Sequence, residues 1–140
     1  MEEYERWLGV PGMDTPCAGV DIGLNHRRLT VRMLFSEMVG RAERDLVLVF
    51  ASPIIVTSFD EFQHPWNSQS GGLVPKLEGK WAQYAYPILI VRGSEWAQRV
   101  KDTAGLGGED PIHFRMVSLD HTVDVLGHDP VSALWQDALP

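Results

Sequence analysis

The residues best suited to chemistry gather in two stretches. In the first, 112–128, Ile112, Phe114 and Met116 alternate with His113, Arg115 and Val117. After Asp120-His121, Val123 and Val125 alternate with Thr122, Asp124 and Leu126. A period of two marks a strand with one buried face, so the stretch reads as a β-hairpin. A two-residue loop at Asp120-His121 sets His113 opposite His128, Arg115 opposite Leu126 and Val117 opposite Asp124. Two imidazoles across one pair, with Asp124 nearby, have the donor types to share a metal ion. The Arg115 cation opposes that, and the plainer expectation is a solvated face with Arg115 and Asp124 as a diagonal ion pair. No metal is assigned.

The second stretch runs from Asp60 to Tyr86. Asp60 and Glu61 lie close to His64, a set with the chemistry for an acid and a base. Adjacent strand residues point to opposite faces, however, which keeps the two carboxylates apart unless a turn intervenes. Phe62, His64, Trp66, Trp81, Tyr84 and Tyr86 surround Gly71-Gly72. Such long connections are uncommon within a compact domain and are often functional or disordered, and aromatic side chains dominate interface energetics. His64, Trp66, Trp81 and Tyr84 are therefore expected to form a binding surface. The same residues also suit a lid folded over one sheet face, with Lys76 to Gln83 as a short helix.

Other signatures are missing. The chain has neither G-x-x-x-x-G-K-[ST] nor G-x-G-x-x-G after a strand, and Gly105-Leu106-Gly107-Gly108 reads as a connector. No histidine pair has the H-E-x-x-H spacing, and no serine sits in a G-x-S-x-G elbow. Cys17 is the only cysteine, which excludes an intrachain disulfide and a thiolate zinc site. No cofactor is expected, and whether the protein is an enzyme stays open.

The elements that must position these residues follow from periodicity. Tyr4, Trp7 and Leu8 at i, i+3, i+4 predict a short N-terminal helix. Leu29, Val31, Met33 and Phe35 predict a strand, with Arg28 and Arg32 sharing its outer face near acidic partners. The run 46–57 is broken at Ser52-Pro53, either by a hairpin turn or by a bulge, because proline cannot donate to a central ladder. Tyr86 to Val91 predicts a strand, and Ser94 caps a helix carrying Trp96, Ala97 and Val100 on one face. Pro130 to Trp135 suits one last helical turn. The expected class is α+β: a mainly antiparallel sheet of five or six strands, with two or three short helices packed on one side.

Size and charge bound the function. The chain's 140 residues fit a single domain, 1–140. Nineteen acidic against twelve basic residues leave a net charge of −7, which disfavours nucleic acid as a partner. The acidic start, Met1-Glu2-Glu3-Tyr4-Glu5, is unlike a secretory signal. The most apolar stretch, Leu46 to Phe59, falls short of the roughly 20 residues that cross a bilayer. A cytoplasmic protein without membrane contact is the expectation. The reading that follows is a small non-enzymatic interaction protein, of the inhibitor or immunity type. It would bind a macromolecular partner with a basic surface through acidic groups and the 62–86 segment. The alternative is a small-molecule binding protein or enzyme with a pocket between the sheet and that segment.

Overall fold

The computed structural model describes residues 2–38, 44–60, 74–104 and 110–138. Among the described residues, nine strands form two antiparallel sheets. The strands are β1 (Glu3–Arg6), β2 (Val20–Asn25), β3 (Arg28–Met33), β4 (Arg44–Ala51), β5 (Ile55–Asp60), β6 (Ile88–Arg92), β7 (Ile112–Val117), β8 (His121–Gly127) and β9 (Ser132–Asp137). One sheet has the order β1-β6-β7-β8-β5 and the other β2-β3-β4-β9. One α-helix, α1 (Glu95–Ala104), occurs among the described residues.

This overturns the α+β expectation. The N-terminal segment is strand β1, paired with β6, and Trp7 reaches the core from just beyond it while Leu8 faces solvent. The C-terminal segment is strand β9 along β4. Between Lys76 and Gln83 only a 3-10 turn forms, Gly79–Trp81, beside an isolated Lys76–Ala85 bridge. A few residues at helical spacing did not decide these segments; the free sheet edges beside them did, a tertiary override of local propensity.

The break at Ser52-Pro53 is neither a hairpin nor a bulge. Strand β4 ends in one sheet, and the chain turns through Ser52 (φ 49°) to start β5 in the other. The proline thus sits where no ladder needs its missing N–H. Leu29, Val31, Met33, Leu46, Leu48 and Phe50 face Ile88, Phe114, Met116, Val123 and Val125 across one apolar layer. Phe50 and Phe114 meet there with ring centroids 5.3 Å apart. On the outer face of the four-stranded sheet, Arg32 reaches Asp45 at 3.2 Å, the acidic partner expected for that arginine.

Candidate functional site

The β7–β8 hairpin turns at Leu119-Asp120, one position earlier than expected. The Ser118 hydroxyl fixes the turn: it accepts from the backbone N–H groups of Asp120 and His121 and donates to the His121 carbonyl. Moving the turn by one residue slides the pairing by two, so every side chain keeps its face. Arg115 now lies directly opposite Asp124, His113 opposite Leu126, and Val117 opposite Thr122. His128 falls beyond the end of β8, exposed, so the proposed His113–His128 pair does not form.

The solvated face is also corrected, because His113, Arg115 and Asp124 are all buried. Trp96 of α1 stacks on the His113 ring at 5.2 Å, and the Tyr4 ring of β1 lies 5.4 Å from the Arg115 guanidinium. Beneath them runs a hydrogen-bonded chain. Ser94 Oγ is 2.7 Å from His113 Nδ1, and His113 Nε2 is 2.7 Å from Asp124 Oδ1. Arg115 Nε donates to the same Oδ1 at 2.8 Å. Ser94 Oγ also accepts from the Ala97 N–H as the cap of α1, which leaves its own proton for Nδ1. A neutral imidazole then carries its proton on Nε2, facing the carboxylate.

Serine, histidine and aspartate in this order form the outline of an activated nucleophile. Three features turn the arrangement toward structure instead. Arg115 shares the carboxylate oxygen that would otherwise stabilise an imidazolium. The Glu95 N–H next to Ser94, where an oxyanion would look for donors, is taken by the Glu2 carboxylate. Ser94 itself is only 6% exposed. The cluster ties α1 to the sheet: the helix cap is bonded to β7 and, through His113, to β8. Sequence reading found Ser94 as a cap but missed its bond to His113. Its position after β6 and Gly93 (φ 68°), a strand–turn–helix corner, was the available signal.

A cleft of about 480 Å³ lies beside α1, lined by Arg92, Ser94, Gln98, Lys101, Asp110 and His113 among others. Both of its cations are paired, Arg92 with Glu5 and Lys101 with Asp110 at 3.1 Å. Arg92 holds the Glu5 carboxyl below its usual range. No group of three or more potential metal ligands converges among the described residues.

The second expected stretch is described only in part. Glu61, His64 and Trp66 lie outside the described residues. Asp60 is exposed at the end of β5, opposite His121. Trp81 and Tyr84 meet edge to face at 5.7 Å, each half-buried against the core. Tyr84 shares a small surface cleft with Cys17, Ala85 and Leu119, so the hairpin tip adjoins the aromatic pair. Leu119, at the hairpin tip, is 39% exposed. Glu78 and Asp120 are strongly exposed, at the start of the 3-10 turn and at the hairpin tip.

The chain matches no known protein family, curated protein or solved structure. Function is therefore read from geometry. Among the described residues no helix is long and apolar enough to cross a membrane.

Proposed function

We propose that this protein is a soluble, cytoplasmic, non-enzymatic interaction protein of the inhibitor or immunity type. It docks a partner with a basic surface on the patch formed by Trp81, Tyr84 and Leu119. The observation that carries this reading is that patch: two aromatic rings held edge to face on the core, with an exposed leucine beside them and carboxylates nearby. Interfaces draw their affinity from a few aromatic and aliphatic anchors inside a polar rim. The net charge of −7 favours fast encounter with a basic surface. In the cleft beside α1, Arg92 and Lys101 are already paired with Glu5 and Asp110, which weakens the case for a small-molecule site there. The alternative pocket under 62–86 rests in half on His64 and Trp66, outside the described residues.

The test compares wild-type protein with Leu119→Asp and Tyr84→Ala in capture from native lysate, followed by affinity measurement on the captured partner. Each anchor is expected to cost about 2 kcal/mol, near thirty-fold in affinity, with circular dichroism unchanged. Wild-type association should slow as salt rises. Equal capture by wild type and both variants would remove this patch from the interface.

A further inference from the structure

We propose that the free edge of β2 is a two-fold interface, where a second copy of this chain adds its own β2 antiparallel and joins the two four-stranded sheets into one of eight strands. Strand β2 pairs with β3 on one side, and among the described residues no strand is hydrogen-bonded to its other edge. All five residues from Asp21 to Asn25 are exposed. Edge strands are normally protected by lysine, proline, a bulge or a covering element. Strand β2 has neither lysine nor proline, and it runs in unbroken register with β3. It also displays Ile22 and Leu24, 43% and 68% exposed.

Ladder geometry selects the occupant and the register. The two-residue loop His26-Arg27 makes Asn25 and Arg28 a bonded pair, so Asn25, Gly23 and Asp21 bond to β3. Ile22 and Leu24 turn their N–H and C=O groups outward. Pairing Ile22 with Leu24 of the second copy uses these groups on both chains and packs four apolar side chains together. Gly23 then lies on the two-fold axis. Asp21 comes opposite Asn25 of the second copy, beside that copy's basic tip, His26-Arg27-Arg28. Pairing Ile22 with itself instead would set Leu24 against Val20, which is already buried, and carry Asp21 away from the tip. Self-complementarity in both shape and charge is what a two-fold contact requires and a foreign strand does not.

The test is a Gly23→Cys variant together with the solution mass of the wild type. A Cβ at Gly23 meets nothing within 4 Å, so the substitution leaves the fold intact. Facing residues of a non-bonded antiparallel pair have Cα atoms about 4.5 Å apart, within the disulfide range. Native Cys17 does not compete, because burial pushes its thiol up to about 12. Under mild oxidation Gly23→Cys should crosslink into dimers about ten-fold or more faster than Asp21→Cys, whose mate is Asn25. Sedimentation equilibrium should give the wild type twice its 15.7 kDa chain mass, and Leu24→Lys should return it to one chain. A wild type that stays at one chain mass at high micromolar concentration overturns the proposal, as does equal crosslinking at positions 21 and 23. Mass that keeps growing past the dimer also overturns it, since β2 pairing with a different edge builds open chains.

Discussion

Asp124 holds the buried cluster together, because both His113 and Arg115 donate to its Oδ1. A buried ion pair contributes little net stability over an apolar replacement, but losing one partner strands the other away from water. Asp124→Ala should therefore cost about 3–5 kcal/mol, read as a lower denaturant midpoint. The Asp124→Leu/Arg115→Met double variant should recover most of that loss, and a double-mutant cycle would show the coupling. A cost for Asp124→Ala well under 1 kcal/mol would mean that the cluster is not what fastens α1 to the sheet. Alternation in the sequence was enough to place His113, Arg115 and Asp124 on one face, since the slipped register preserved parity. Their burial was not legible. It depends on Tyr4 and Trp96, which come from distant segments and cover groups whose types alone suggest solvent.

At the level of elements, legibility followed how local the determining signal was. Helix α1 showed itself because its cap, Ser94, and its apolar face lie within a few residues of each other. Strands β3, β6, β7 and β8 were visible from their alternating or apolar runs. Strand β2 was hidden, because its partner is joined by His26-Arg27 rather than a recognisable Asn-Gly. Both loop residues have left-handed backbones, φ 50° and 64°, as a type I′ turn demands. Side chains with a Cβ pay for that conformation, at about 1–2 kcal/mol per residue. Arg27→Gly should relieve the strain and stabilise the protein by about 1 kcal/mol, after the added chain entropy of glycine is offset. Thermal unfolding should then shift upward by about 3 °C. A downward shift would mean that the arginine side chain contributes more than its backbone costs.

Across the whole molecule the chain passes repeatedly between layers: β1 in one sheet, β2 to β4 in the other, β5 to β8 back in the first, and β9 returning. Neither sheet is made of one continuous segment, and each uses the other as its hydrophobic cover. This was the part least legible in the sequence, because a period of two reports which residues face inward but not what they face. It also makes the two sheets one cooperative unit, in contrast to a single sheet with helices docked on it. Fluorine labels on Trp7, whose backbone N–H donates to the Ile88 carbonyl of β6, and on Trp135 of β9 report one sheet each. Both signals should be lost at the same denaturant concentration. Phe114→Ala, which opens the contact with Phe50 across the layers, should cost about 3–5 kcal/mol and move both transitions by the same amount. If only the Trp7 transition moved, the two sheets would be separate cooperative units, and the shared apolar layer would not be what holds them together.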